Sequence, residues 1–254
     1  MADQQLIDLL KRGPITWNKW RQQHPEIRPN LSGADLSGVT LQETSPRGPE
    51  AVGLSEIDLK DADLSRADFI GTILRRADLR EANLSRANLS EADLGGANLS
   101  RANLSEADLS GADLGSTNLA FATFNSADLT YANLGYADLS GVTFIQAILV
   151  HANLSCTDLS SANFWQANLS EANLVCANLS SAILSKANLS GADLRAADLR
   201  EQDLSGMSLT GAALIRANLS GTNLNGTDLS RANLTAANLS RAHLLGANLT
   251  EATL

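Results

Sequence analysis

Two cysteines among 254 residues are too few for a disulfide framework. No run of 18 apolar residues occurs anywhere in the chain, so no helical membrane span is expected. Aromatic residues make up only 4% of the chain and the formal charge is −9. The stacking side chains and the basic face that nucleic-acid binding needs are therefore both missing. The three histidines, His24, His151 and His243, stand far apart. No glycine-rich phosphate loop, Cys-x-x-Cys or His-Glu-x-x-His spacing accompanies them. The nearest pair, His151 with Cys156, falls short of the four close ligands of a structural zinc site. No catalytic residue, cofactor or metal is expected, and the chain reads as a non-enzyme. The opening Met1-Ala2-Asp3-Gln4-Gln5-Leu6-Ile7-Asp8 is acidic, and its apolar run is too short for a secretory signal. Cytoplasm is the expected compartment.

What is present is a five-residue word, Ala-(Asp/Asn)-Leu-(Ser/Thr/Arg)-x, repeated from about residue 52 to Leu254. Ala82-Asn83-Leu84-Ser85-Arg86 is followed at once by Ala87-Asn88-Leu89-Ser90-Glu91. Neither a helix (period 3.6) nor a strand (period 2) keeps a five-residue apolar pattern on one face. The solution that does is a solenoid. With the central Leu as position i, Leu or Phe fills a narrow interior and Ala at i−2 lets backbones approach. Asp or Asn at i−1, with Gly and Ser nearby, supplies bends through local hydrogen bonds.

Four words per coil is the period that best explains the exceptions. Phe124, Phe144 and Phe164 are spaced by 20, as are Glu81 with Arg101, Arg86 with Glu106, Arg231 with Glu251 and Cys156 with Cys176. Stacked on neighbouring coils, the aromatic and opposite-charge pairs would be favourable contacts. The cysteines would lie about 4.8 Å apart, within the Cα range of a disulfide. A reducing compartment favours free thiols. About 11 coils at ~4.8 Å each give a rod on the order of 50 Å long.

The first 28 residues lack the word and read as helical. Asp3 is a candidate N-cap, Leu6, Ile7, Leu9 and Leu10 form an apolar stripe, and Gly13-Pro14 stops it. A second helix is expected from Thr16 to about Gln23, carrying Trp17 and Trp20. These tryptophans cap the first coil in one reading and bind a partner in the other; capping is preferred, since an open sheet edge invites pairing. The word returns at Asn30-Leu31 and Asp35-Leu36 before an interruption at 44–51 that contains Pro46, Gly48 and Pro49. The expected organisation is a helical cap at 1–28 and a β-helix at 29–254 with a loop at 44–51.

This pattern resembles the pentapeptide-repeat family, and most closely its cyanobacterial members. The resemblance implies an all-β solenoid, a right-handed quadrilateral β-helix of about 20 residues per coil, here with a short N-terminal α-helical cap. It also brings two functional expectations. One is a protein–protein interaction scaffold or regulator. The other is an acidic mimic of duplex DNA acting on DNA gyrase, as some members do. A duplex about 50 Å long carries about 30 charges, more than three times the net −9 here. Arginines such as Arg75, Arg86, Arg195 and Arg231 further interrupt any acidic face.

The outward positions point to the first expectation. Between residues 121 and 176 the i+1 and i+2 slots hold Phe121, Tyr131, Tyr136, Ile145, Val150, Trp165 and Val175, where Ser, Gly, Arg or Glu is usual. Exposed aromatics commonly anchor interfaces, and singly scattered surface apolars are also ordinary. An unidentified protein partner and a second copy of this chain, through the middle coils or the C-terminal coil, both fit the pattern. Like-charged columns such as Asp93 with Asp113, Asp108 with Asp128 and Asp138 with Asp158 are read as solvated carboxylates bonded to local backbone.

Overall fold

The computed structural model describes residues 3–37, 42–45, 48–51 and 53–254. Parallel bridges join nearly every word to the fourth word after it, as in Asp58 to Asp78, Asp63 to Asn83, Asp68 to Asn88 and Ile73 to Asp93. Four successive words therefore each touch the next coil once, and the fold is a β-helix. Every inward Leu from Leu54 to Leu229 is at most 2% exposed, and the i−2 alanines are buried beside them.

The local chemistry of one word explains its repetition. The Asx side chain at i−1 accepts from the amide two residues on, as Asn83 Oδ1 does from the Ser85 amide at 3.2 Å. That bond turns the chain. Leu84 O then accepts from the Ala87 amide at 3.0 Å, closing a β-turn with Arg86 at φ 60°. A left-handed residue other than glycine costs about 1–2 kcal/mol. The chain accepts this cost at most corners, because the inter-coil ladder uses the amide of that same residue: Arg86 N donates to Ser105 O at 2.9 Å.

Interior stacking follows the same four-word interval. The rings of Phe124, Phe144 and Phe164 are consecutive, each pair 5.1 Å apart. On the surface Arg86 meets Glu106 at 2.9 Å and Arg231 meets Glu251 at 2.8 Å. Glu81 and Arg101 form no ion pair among the described residues, which departs from the expectation. Arg76 instead reaches Glu56 at 3.3 Å.

Before the first complete coil, α1 spans Gln4–Leu10 and α2 spans Pro14–Gln23. Asp3 caps α1 by accepting from the Gln5 and Leu6 amides. Pro14 opens α2 rather than merely ending α1, since its missing N–H costs nothing at a first helical position. Trp17 is fully buried and donates its indole N–H to Asp58 O at 2.6 Å. Asn18 donates to Glu56 O and accepts from the Asp58 amide, both at 2.8 Å. Arg21 adds a bond to Lys60 O at 3.1 Å. These side chains meet backbone groups of Glu56, Asp58 and Lys60 that no preceding coil pairs among the described residues. Residues 30–37 supply the other part of that layer, with bridges from Asn30 to Asp63 and from Asp35 to Asp68. Those partners lie further apart in the chain than one coil requires, and the excess is an insertion. Within it β1 (Gln42–Ser45) and β2 (Gly48–Ala51) pair antiparallel. Of the proline–glycine segment read as a loop, Pro46 and Arg47 lie outside the described residues.

The ladder is interrupted beside residues 202–208. Gln202 and Met207 occupy i−2 positions where alanine is usual. Among the described residues no bridge joins Ile183 to Asp203 or Asn188 to Ser208, and Leu189 N reaches Ser208 O only at 3.4 Å. Both gaps fall at inward side chains larger than alanine, and the Asp138–Asp158 bridge, beside Thr157 at i−2, is missing among the described residues as well. On the following coil the ladder resumes, with Asn223 N on Gln202 O at 2.8 Å.

Candidate functional site

The outward apolar residues are placed by the same turns. Phe121, Tyr131 and Tyr136 sit at i+2 corners with φ 60–61°, a geometry that aims the side chain away from the coil. They are 62%, 66% and 74% exposed. Trp165, at i+1, is 36% exposed, while Ile145, Val150 and Val175, also at i+1, are half-buried. The coil thus splits the seven residues by position, the corner side chains being the most exposed and the i+1 side chains less so.

Three of the four aromatics meet a neighbour on the adjacent coil. The Tyr131 ring stacks on His151 with centroids 4.8 Å apart and planes inclined by 12°. The Phe121 ring covers Gly141, where an added Cβ would come within 2.7 Å of it. Lys186 Nζ lies 5.7 Å over the Trp165 ring, within cation–π range. Tyr136 heads the column of Cys156 and Cys176.

Two further apolar side chains belong with these. Ile148 and Ile183 are 41% and 50% exposed at i−1, where Asp or Asn is usual. Ile145, Ile148 and Val150 therefore leave one coil close together. Looking only at i+1 and i+2 overlooked the two isoleucines. The signal was available, since each replaces the Asx that makes the turn bond. A separate groove of about 490 Å³ is lined by Val175, Ala196, Ile215 and Ala236 with Arg195 and Arg216, continuing beyond the expected zone.

Among the described residues the ion pairs lie outside this zone, and none of residues 121–176 forms one. Arg75, Arg80, Arg195 and Arg200 contact Asp93, Asp78, Asp193 and Asp198. A hydrogen bond from Arg86 holds the Glu106 carboxyl below its ordinary range. Hydrogen bonds from Ser205 do the same for Asp203. Among the described residues no three His, Cys, Asp or Glu side chains cluster to hold a metal. Among them, too, no helix is long and apolar enough to cross a membrane.

The family model described as pentapeptide repeats (8 copies) matches in overlapping stretches from residues 54–90 to 227–254. The chain belongs to the pentapeptide-repeat family. Its members fold as right-handed β-helices, in keeping with the coils above. HetL, a pentapeptide-repeat protein involved in heterocyst differentiation regulation from the cyanobacterium Nostoc sp. strain PCC 7120, is 33% identical. That match covers 92% of this chain and 95% of HetL, with a TM-score of 0.32. QnrB1, a plasmid-mediated fluoroquinolone resistance protein, is 21% identical over 75% of this chain and 90% of its own, with a TM-score of 0.32. Rfr23 from the cyanobacterium Cyanothece 51142 is 21% identical over 94% of this chain and 98% of its own, with a TM-score of 0.14. No match was found among curated proteins.

Proposed function

We propose that this pentapeptide-repeat protein is a non-catalytic, four-sided rod that presents its middle coils to a protein partner. Four bridge positions in each coil, as at Asp58, Asp63, Asp68 and Ile73, support the quadrilateral section. In this reading residues 1–28, through Trp17 and Trp20, cap the β-helix of 29–254. The observation that carries the contact surface is that Phe121, Tyr131, Tyr136 and Trp165, the exposed aromatic side chains of the rod, all fall on neighbouring middle coils. Tyr131, Ile145, Ile148, Val150 and Trp165 form its centre, and aromatic anchors of this kind supply most of an interface's energy. The regulatory role named for HetL is compatible with action through binding. Gyrase mimicry is the weaker reading, because a net charge of −9 is far below that of a duplex of equal length and arginines interrupt the acidic surface. Gyrase supercoiling, with and without a quinolone, is expected to be unchanged by the protein.

The test is affinity capture with the intact protein against a Tyr131→Ser/Trp165→Ser variant. A partner held by the first and lost by the second supports the middle-coil surface. A partner retained by both moves the site elsewhere. Capture of nothing, with concentration-dependent dimerisation that the variant abolishes, makes the partner a second copy of this chain.

A further inference from the structure

Cys156 and Cys176 occupy the same position on successive coils, just after the buried Leu154 and Leu174. Both are free, exposed thiols. The backbone holds them in register on both sides. The Cys156 amide donates to Val175 O at 2.8 Å, the Cys176 amide to Arg195 O at 2.9 Å, and Leu154 N to Asn173 O at 2.8 Å. Their φ angles, 56° and 59°, are nearly identical. Equal backbone conformation on parallel chains makes the two Cα–Cβ bonds nearly parallel, so the β-carbons are separated by the coil rise of about 4.8 Å.

That spacing discriminates between two fates of a thiol pair. A disulfide holds its β-carbons roughly 3.5–4.5 Å apart, and closing it would pinch coils already pinned by the ladder. Two metal–thiolate bonds of about 2.3 Å placed in line span about 4.6 Å, matching the rise without distortion. The thiols lie close enough to influence each other: desolvation, then the charge and hydrogen bond of Cys176, push the Cys156 thiol up. The column continues as Tyr136 on one side and Ala196 on the other, and neither brings a third strong ligand. Zinc wants four ligands, whereas two soft sulfurs suit a soft monovalent cation.

We propose that Cys156 and Cys176 form a cross-coil dithiolate site for one Cu(I) ion. Binding converts two thiols and one Cu(I) into a bis-thiolate complex of charge −1. It releases two protons and transfers no electrons. Affinity therefore rises with pH, by up to about 100-fold per unit below the thiol pKa values.

The experiment is anaerobic titration of the reduced protein with Cu(I) in competition with the chromophoric chelator bathocuproine disulfonate. One Cu(I) per chain is expected to leave the chelator. Cys156→Ser and Cys176→Ser, both at exposed positions, should each weaken binding on the order of 100-fold or more through loss of the chelate. X-ray absorption should show two sulfur neighbours, at a distance shorter than the ~2.3 Å of a four-coordinate zinc thiolate, with the elution volume unchanged. Failure to draw Cu(I) from the chelator overturns the proposal, as does equal binding by either single variant. Three or more sulfur neighbours, or Cu(I)-dependent dimerisation, would place the ligands in two molecules and overturn it too. Ready closure of the pair to an intramolecular disulfide on exposure to dioxygen would show that the β-carbons approach after all, and would overturn the spacing on which the site rests.

Discussion

Stacking of Phe124, Phe144 and Phe164 makes the coil register measurable as an energy. All three rings are fully buried, and Phe144 touches both neighbours at 5.1 Å, with planes inclined by 21° to Phe124 and 9° to Phe164. Leucine is the usual occupant of this position, so Phe→Leu should be absorbed at under about 1.5 kcal/mol apart from the lost ring contact. Each aromatic pair contributes roughly 0.5–1.5 kcal/mol beyond burial. Phe144→Leu loses two such pairs, and Phe124→Leu or Phe164→Leu only one. A double-mutant cycle on Phe124 and Phe144 should therefore show a coupling of about 1 kcal/mol. The cycle on Phe124 and Phe164, two coils apart, should be additive within about 0.3–0.5 kcal/mol, since repeat rods couple nearest neighbours. Phe144→Ala, leaving a cavity, should cost about 3–5 kcal/mol. Equilibrium urea unfolding followed by circular dichroism reads each value. Zero coupling for the adjacent pair, or equal coupling for the distant pair, would refute the four-word stacking.

The N-terminal layer and the ladder gap make two further predictions. Trp17→Ala removes a fully buried ring and its 2.6 Å bond to Asp58 O, and should destabilise by about 3–5 kcal/mol; an unchanged melting temperature would remove Trp17 from any capping role. Amide hydrogen exchange should be faster at Asp203 and Ser208 than at Asn223 and Asp228, whose amides donate at 2.8 and 2.9 Å to Gln202 O and Met207 O; equal protection would mean that the ladder is continuous there.

Much of the rod was legible from residue spacing. The word length excluded ordinary helices and strands, and the exceptions to the word, recurring every fourth repeat, revealed the coil. Phe124 on Phe144, Arg86 on Glu106 and Tyr131 on His151 each rest on that interval alone. The same rule failed for Glu81 with Arg101, because long exposed side chains choose among several partners at nearly equal energy. Arg75 shows the same freedom by reaching Asp93, off its own column, at 2.6 Å. Of the candidate contact residues, identity and outward direction were readable, and degree of exposure was not. Tyr136 at i+2 and Val175 at i+1 were both read simply as outward, but the first stands exposed at a corner and the second is half-buried.

The sequence by itself determined the repeat, its inward and outward positions and the coil period, since these follow from which side chains a narrow interior accepts. Only the tertiary structure decided what happens where the word breaks. It placed Asn18, Trp17 and Arg21 against backbone groups of Glu56, Asp58 and Lys60 that the following coil leaves free, a role that no local pattern announces. It opened the ladder beside Gln202 and Met207, both inward side chains larger than the usual alanine. It also gave Cys156 and Cys176, which the spacing had already put on successive coils, nearly the same backbone φ and left both thiols exposed. Spacing along the chain says which residues can meet, and the backbone geometry of both coils says how.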